Sequence, residues 1–334
     1  MIDTSVAGAT TAPAAGPTIL GWFEPGTDAW HAARANGIGG SEIAAVLGLS
    51  PHESRFSLWH RKKGLIGPVE ESPQMRWGKK HEPTICDEFA ELHPEFVVSI
   101  APTYAQGEQI ANPDRLLHKP CDCGLHKPAC CDPEDCGPCC EDCPTCPTLA
   151  KPPVAIVEAK TAYDDEGWGE EGTGEIPVWY RAQCIWYLDV LGLQRCHVAV
   201  LIGLSDYREY VVEYDPAEAQ LLRDAGARFM DDLARDIRPD IDGHSATYQA
   251  LREIPEGLDP VDVEIGTELR DRFYAAQDAA WAAEDELTAC KGELLDAIGT
   301  GQRAVCERQR IATRTVRDGA TYSLMPARTR RNAR

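Results

Sequence analysis

Three charged side chains lie in or beside two apolar stretches, at a spacing that suits phosphodiester hydrolysis. Asp114 follows Pro113, and Glu158 and Lys160 come near the end of an apolar run that begins at Val154. Because side chains alternate along a strand, Glu158 and Lys160 point to one face, where a buried charge is costly without a partner. A Mg²⁺ ion held by Asp114 and Glu158 would be such a partner, and Lys160 would help to deprotonate the attacking water and stabilise the developing charge. For an isolated Glu-x-Lys pair, a salt bridge on an edge strand is the alternative.

A second group of polar residues, earlier in the chain, suits an anion. Ser41 follows Gly37-Ile38-Gly39-Gly40, so a flexible loop brings its hydroxyl and successive backbone amides to the start of a helix. Such amides and the helix dipole favour a phosphate. Arg34 could bind the same phosphate through two of its nitrogens. Taken alone, an ordinary N-cap for Ser41 and a surface ion pair for Arg34 explain these residues as well.

Alternating helices and strands must position these side chains. Ile85, Phe89 and Leu92 recur at helical spacing, and Asp215-Pro216 has the composition of a helix start. The patterns predict helices over residues 41–48, 55–63, 77–92 and 178–191, and from 215 towards 238. They predict strands over residues 96–100, 110–117, 154–162, 197–202 and 209–214. The catalytic candidates therefore fall on strands or at their ends.

The pattern changes after residue 260. Apolar and small residues from Leu269 to Leu294 alternate in steps of four and three, which indicates a helix that packs on the core or on another subunit. Residues 310–323 alternate like one strand. The four arginines at the end of the chain either touch phosphate or form a basic tail; they are Arg328, Arg330, Arg331 and Arg334.

Composition limits the cellular setting. The first 18 residues are rich in Ala, Thr, Pro and Gly and lack a basic start, which predicts a disordered leader and not a signal peptide. No run of 18 apolar residues is present, so we expect no membrane span and a cytoplasmic protein. The net charge of −21 argues against broad nonspecific adhesion to DNA but does not exclude a nuclease.

The motifs occur together in the order of a known family. From Trp30 to about Ile254 the chain resembles the YqaJ-type viral recombinases, the group that includes the phage lambda exonuclease, within the PD-(D/E)XK nuclease superfamily. The segments that carry the resemblance are Trp30-x3-Arg34, Gly37 to Ala44, Leu47 to Pro51, Trp77 to Pro83, Pro113-Asp114, Glu158-Ala159-Lys160, Ile176-Pro177, Tyr180-x2-Gln183 and Asp240 to Gly243. Any one segment has little specificity, whereas the ordered set is specific.

The resemblance implies an α/β fold, namely a restriction-endonuclease-like PD-(D/E)XK core with a central mixed sheet flanked by helices. The exonuclease domain that it implies spans 19–258, and composition and periodicity add a leader at 1–18 and a C-terminal helical extension with a short strand and basic tail at 259–334. Two Mg²⁺ or Mn²⁺ ions would be held by Glu82 on its helix, Asp114, Glu158 and the main-chain carbonyl of Ala159. Gln183 would orient the attacking water or Lys160. In the same way, the resemblance implies that Arg34 and Ser41 hold the terminal 5′-phosphate.

The implied function is a Mg²⁺-dependent, 5′-to-3′ exonuclease of duplex DNA in phage-type recombination, encoded by a phage or prophage in a bacterial host. It would act on double-stranded ends and leave 3′ single strands for an annealing protein; a trimer is the family expectation. The alternatives are an endonuclease or single-strand nuclease of the same fold, and a non-cleaving, metal-stapled DNA-binding module. The retained acidic residues, Lys160 and Gln183 argue against the last of these.

A cysteine-rich stretch separates the two catalytic strands. Within residues 118–150 it has too few apolar residues to form a core, so a metal would have to stabilise it. Structural Zn²⁺ fits the Cys-x2-Cys spacings best, an iron–sulfur cluster is the second interpretation and free thiols are the third. We expect this insertion to return to the sheet close to the active site. The candidate ligands are Cys121, Cys123, Cys130, Cys131, Cys136, Cys139, Cys140, Cys143 and Cys146.

Overall fold

The computed structural model describes residues 16–23, 26–120, 152–254 and 259–327. Its contacts divide the chain into two compact units, Met1–Glu256 and Gly257–Arg334. Among the described residues, no helix is both long and apolar enough to cross a membrane.

The first unit alternates helices and strands as its sequence pattern predicts. Its helices are α1 (Asp28–Arg34), α2 (Gly40–Val46), α3 (Arg55–Lys62), α4 (Pro73–Leu92), α5 (Val178–Leu191), α6 (Pro216–Ala234) and α7 (Ser245–Glu253). Its strands are β1 (Thr18–Gly21), β2 (Ile38–Gly39), β3 (Val97–Ile100), β4 (Thr103–Gln106), β5 (Gln109–Ala111), β6 (Arg115–His118), β7 (Ala155–Ala162), β8 (Arg195–Ile202) and β9 (Asp206–Glu213).

Five of the described strands form the central sheet, in the order β3-β6-β7-β8-β9. The β7–β8 pair is parallel and the other pairs are antiparallel. Both faces are covered: Ile156 and Val198 pack in the core that includes α5, whereas Val157 and Ala199 pack against Phe89 of α4. This mixed sheet between helices agrees with the α/β class that the sequence predicts.

A smaller sheet, in the order β1-β4-β5-β2, brings the glycine-rich loop to the core. Strand β2 pairs in parallel with β5, so Ile38 lies opposite Gln109. The buried indole of Trp186 in α5 donates to the carbonyls of Ile38 and Ile110, at 3.1 and 3.2 Å. These bonds fix the start of α2 against α5.

The second unit contains α8 (Thr267–Ile298) and the antiparallel sheet β10 (Arg303–Cys306), β11 (Gln309–Arg317) and β12 (Ala320–Pro326). Ala304, Ala312 and Leu324 pack with side chains from the last turns of α8. Upstream apolar positions of α8, such as Phe273 and Leu287, are exposed, so what covers the predicted seam stays a prediction.

Several boundaries differ from the sequence predictions. Helix α4 begins at Pro73, four residues before the predicted start at Trp77. Ser72 forms its N-cap, and a polar first turn precedes the apolar pattern on which the prediction was based. The single strand predicted over 310–323 was wrong, since the chain turns at Asp318-Gly319 and forms two strands. Thr18, which we placed in a disordered leader, begins β1 and pairs with β4.

The cysteine-rich insertion leaves and rejoins the sheet at one place. The amide of Val154 donates to the carbonyl of Leu117 at 2.8 Å, so β6 and β7 continue as neighbours across the insertion. This junction lies at the end of β6 that points away from Asp114, about 13 Å along the strand at about 3.3 Å per residue. The two ends of the insertion therefore join the strands that carry Asp114 and Glu158, and a position of the insertion close to the active site stays a prediction. The nine cysteines lie outside the described residues.

Candidate active site

The central strands bring an aspartate, a glutamate and a lysine together. Asp114 immediately precedes β6, and Glu158 and Lys160 lie on β7 with both side chains on the face that α5 covers. The amide of Ala159 donates to Asp114 Oδ2 at 2.7 Å, and Lys160 Nζ lies 2.6 Å from Glu158 Oε1. Since β6 and β7 pair directly, the sheet itself fixes the spacing between the two carboxylates.

Burial makes this cluster electrostatically unusual. Desolvation, followed by the charge of Glu158, raises the pKa of Asp114 well above its ordinary value. Desolvation also raises the pKa of Glu158, although the Lys160 ammonium opposes the rise. The pKa of Lys160 is raised because the attraction of Glu158 and Asp114 outweighs desolvation. One ammonium group therefore faces two enclosed carboxyl groups, an arrangement that favours a further cation.

Helix α5 supplies the polar side chains that complete this cluster. Gln183 Nε2 donates to Glu158 Oε1 at 2.6 Å and lies 3.1 Å from the hydroxyl of Tyr187, one turn later. The ring of Tyr180 lies beneath Lys160, with the ammonium 4.9 Å from its centroid. Gln183, Tyr187 and Tyr180 thus hold the charged pair of β7 from one side.

Glu82 lies beside the cluster and contacts an arginine. Its Oε1 accepts from Arg115 at 3.1 Å, and its side chain is one-third exposed. Its charge raises the pKa values of both Asp114 and Glu158, which places the three carboxyl groups in one electrostatic neighbourhood. Nevertheless, within the described ranges no three His, Cys, Asp or Glu side chains are close enough to form a metal-binding group.

The donor set around Glu158 fits a divalent cation. Glu158 is 2% exposed, and its Oε2 atom has no hydrogen-bond partner in the described part of the chain. A buried carboxylate oxygen without a partner is costly, and carboxylate oxygens are preferred ligands of Mg²⁺ and Mn²⁺. Asp114 and Glu158 could hold such an ion together, with the Ala159 carbonyl and Glu82 as the further candidates.

Arg34 and Ser41 meet at the start of α2. Arg34 Nη2 lies 3.3 Å from Ser41 Oγ, and Nη1 donates to Asn112 Oδ1 at 3.2 Å. The guanidinium group also stacks over Trp30, 4.4 Å from the ring centroid. Arg34 is buried whereas Ser41 is exposed, so the hydroxyl is the part of this pair that solvent reaches.

A carboxylate modifies the phosphate-binding character that the sequence predicts for this helix start. Glu42 Oε2 accepts the Gly39 amide at 2.7 Å, and Lys62 Nζ lies 3.1 Å from the same oxygen. One amide of the loop is therefore already paired. Anion binding here would depend chiefly on the Arg34 guanidinium and the Ser41 hydroxyl.

Sequence reasoning did not assign roles to three residues of this region. Asn112 was part of the Asn-Pro-Asp segment, Arg115 directly follows Asp114, and Tyr187 lies one helical turn after Gln183. The last spacing was a usable signal, because residues four apart share a helix face. The contacts of Asn112 and Arg115 join distant parts of the chain and leave no local pattern.

Comparisons with known proteins agree with the motif order. Residues 29–194 match the model of the YqaJ-like viral recombinase domain. The protein YqaJ of Bacillus subtilis (strain 168) is 27% identical over 242 residues, which cover 69% of this chain and 64% of that protein. A protein of African swine fever virus is 38% identical over 56 residues, or 17% of this chain and 16% of its own length. The chain thus spans less than two thirds of these curated relatives.

A solved structure has a weaker likeness. An alkaline exonuclease from Laribacter hongkongensis is 16% identical, with a TM-score of 0.45 over 63% of this chain and 94% of that one. A likeness at this level does not assign the chain to a family. That assignment depends on the family match and on the relative from Bacillus subtilis. Residues 29–194, which contain Arg34, Ser41, Asp114, Glu158 and Gln183, therefore belong to the YqaJ-like viral recombinase family.

Proposed function

We propose that this protein is a metal-dependent deoxyribonuclease that removes nucleotides from the ends of linear duplex DNA. The observation that carries the proposal is the hydrogen bonding of the Glu158 carboxylate. One of its oxygens is held by Lys160 and Gln183, whereas the other is buried and has no hydrogen-bond partner among the residues that the structure describes. When bound there, a Mg²⁺ or Mn²⁺ ion, or a pair of them, would neutralise the carboxylates and lower the pKa of the attacking water.

The protein's own residues would position and polarise the reacting groups. Asp114 and Glu158 would hold the metal, with the Ala159 carbonyl and Glu82 as further ligands. The Lys160 ammonium would stabilise negative charge that develops on the phosphate oxygens. The Gln183 amide, already bonded to Glu158, would keep that carboxylate in the orientation that catalysis requires.

We infer further that the enzyme recognises a 5′-phosphate and proceeds in the 5′-to-3′ direction. Supporting this, the Arg34 guanidinium contacts the exposed Ser41 hydroxyl, and Asn112 joins Arg34 to the segment that carries Asp114 two residues later. Cleavage from a 5′ end that is bound at Arg34 and Ser41 would leave a 3′ single strand for an annealing protein, in keeping with the recombinase family. The annealing partner, a trimeric assembly and a cytoplasmic location belong to the same proposal.

Digestion of end-labelled linear duplex DNA tests this function. The substrates would carry a 5′-phosphate or a 5′-hydroxyl, and each would be incubated with Mg²⁺, with Mn²⁺ or without divalent metal. We expect metal-dependent release of nucleotides, faster from the 5′-phosphate by roughly tenfold because an arginine–phosphate contact would be gained. Arg34→Gln should abolish this preference without abolishing cleavage.

Glu158→Gln, which keeps the shape of the side chain, should lower the rate by at least about 100-fold. The matched control is Glu166→Gln, an exposed carboxylate eight residues later, which should cleave normally. Closed circular duplex and single-stranded DNA complete the experiment. Cleavage of the circle would indicate an endonuclease. Binding without cleavage under any metal would instead support the non-cleaving module.

A further inference from the structure

The charge of this acidic protein is distributed unevenly along the chain. Residues 303–334 contain nine arginines, no lysine and two acidic residues, whereas the other 302 residues contain 24 basic and 52 acidic ones. The segment thus carries a net charge of +7 in a chain of net charge −21. Such a concentration of one charge typically marks a surface that meets an oppositely charged partner.

The fold of the second unit gathers part of this charge on one face of the β10-β11-β12 sheet. The other face is closed, since Ala304, Ala312 and Leu324 pack with the end of α8. The open face contains a cavity with a volume of about 710 Å³. Six of its lining residues are Arg303, Val305, Arg308, Arg310, Thr313 and Met325.

The three arginines of this surface are available for an external anion. Within the described residues, Arg303, Arg308 and Arg310 form no ion pair and no side-chain hydrogen bond, and all three are exposed. Arg195 and Arg235 are exposed but ion-paired: Arg195 lies 2.7 Å from Glu213 and Arg235 lies 3.0 Å from Asp231. An arginine cluster without carboxylates suits phosphate, which a guanidinium group binds through two parallel hydrogen bonds.

The turn between β10 and β11 keeps one of these arginines in an uncommon conformation. Glu307 and Arg308 both have positive φ angles, 48° and 68°, in a two-residue hairpin turn where Asn-Gly is the usual sequence. Each non-glycine residue in this region costs on the order of 1 kcal/mol. The hairpin thus retains an exposed arginine at a position where glycine would be more stable.

We propose that this open face, the arginine face (Arg303, Arg308 and Arg310), binds the phosphodiester backbone of DNA. It would be a second contact, separate from the cleavage site, that holds the duplex while the end is processed. The choice of DNA as the ligand rests on the proposed nuclease function; the anion-binding character rests on the arginine face alone. An acidic surface of another copy of this chain is the competing ligand, and the test separates the two.

The test measures DNA binding by the full chain without added divalent metal. The ligand is a closed duplex minicircle, which has no 5′ end for Arg34 and Ser41. Affinity is followed by fluorescence anisotropy as NaCl rises from about 50 to about 300 mM, since each lost phosphate contact lowers the salt slope by about 0.9. We expect Arg303→Gln/Arg310→Gln to weaken binding roughly tenfold at low salt and to reduce the slope by about 2.

The matched control is Arg195→Gln/Arg235→Gln, which removes the same charge from two exposed, ion-paired arginines and should change affinity less than about twofold. Equal affinities and slopes for the two double variants would overturn the proposal. So would a change of oligomeric state by light scattering with unchanged DNA binding, because the face would then be a protein interface. A single-stranded circle shows which form of DNA is preferred. If no variant cleaves linear DNA but the binding difference persists, the nuclease function fails and the arginine face stands.

Discussion

At the scale of single residues, the two oxygens of one carboxylate explain most of the candidate site. Glu158 Oε1 is held by Lys160 and Gln183, and Oε2 is buried without a partner in the described chain. Evolution removes such a cost easily by substitution, so its presence argues for a ligand or a chemical role. The neighbouring Tyr187 links the Glu158 site to the start of α2.

We expect Tyr187→Phe to lower kcat about tenfold on duplex ends while KM changes little, if the protein is the proposed nuclease. The hydroxyl lies 3.1 Å from Gln183 Nε2, and losing it frees the amide that orients Glu158. Steady-state kinetics of Tyr187→Phe, Gln183→Ala and the double variant would measure this. The double variant should be no slower than Gln183→Ala alone. Additive losses of kcat would show that Tyr187 acts independently of Gln183, and a large fall in Tm with unchanged kcat would show that it only fills space; either result contradicts the prediction.

Gly40 should tolerate no side chain, because a Cβ atom there would overlap the buried ring of Tyr187. We expect Gly40→Ala to lower the free energy of unfolding by about 1–3 kcal/mol, the usual cost of overpacking a core. The control is Gly78→Ala within α4, where the nearest atom would be 3.6 Å away and the helix should gain up to ~1 kcal/mol. Urea denaturation measures both; equal stability of the two variants would contradict the close approach.

At the scale of elements, local patterns predicted what local forces determine. Helix α5 was predicted with its observed bounds because a mostly apolar and aromatic segment ends at Gly192, whose φ of 66° forms the C-cap. The Asp318-Gly319 hairpin was missed although its dipeptide is a turn signal, since the alternation of residues 310–323 looked continuous.

Other features of the fold could not be read from sequence. Strands β1 and β2 have four and two residues, and their partners β4 and β5 lie far along the chain. The carboxylate pair was predictable because the Glu-x-Lys strand and the Asp before it have recognisable patterns. The contacts of Asn112 with Arg34 and of Arg115 with Glu82 arise only when separate elements pack together.

The packing of β8 against α4 predicts a pH-dependent stability. Burial, followed by the charge of His93, lowers the pKa of His197 to about 4. In the unfolded chain its pKa is about 6.5. The folded state therefore keeps its full stability above pH about 6.5 and loses up to ~1.4 kcal/mol per pH unit as pH falls towards 4. His93 acts in a different window: hydrogen bonds to Glu209 and Glu95 outweigh burial and raise its pKa, so its contribution is lost only as pH rises above about 6.5.

We expect His197→Phe to remove this acid-dependent slope, since the ring contacts of Phe89 and Phe96 can be kept without a titrating nitrogen. Urea denaturation between pH about 4.5 and about 7.5 measures the slope, with the exposed His31→Gln as control. An unchanged slope in His197→Phe would show that carboxylates alone cause acid unfolding.

At the scale of the whole molecule, charge and cysteine content divide the chain into parts with different chemistry. The acidic first unit holds the carboxylate cluster, and the basic segment 303–334 holds the arginine face. The cysteine-rich insertion interrupts the first unit at one point, between His118 and Val154, where β6 and β7 remain paired. An insertion at such a junction can change without disturbing the register of Asp114 against Ala159.

The insertion should therefore hold a metal that is separable from cleavage. We expect the purified protein to contain one or two equivalents of zinc per chain, because the cysteine spacings suit tetrahedral thiolate sites. Cys139→Ser/Cys143→Ser should release that metal. The control, Cys290→Ser/Cys306→Ser, removes two exposed thiols from the second unit and should retain it.

Elemental analysis after gel filtration measures the metal content of both double variants, and iron with acid-labile sulfide would identify an iron–sulfur cluster instead. Equal metal content in the two variants would contradict a site at these cysteines. Because the ends of the insertion meet the sheet about 13 Å from Asp114, metal loss should leave the Mg²⁺-dependent rate on short duplexes within a few-fold of the parent. A collapse of that rate together with metal loss would mean that the insertion helps to form the active site.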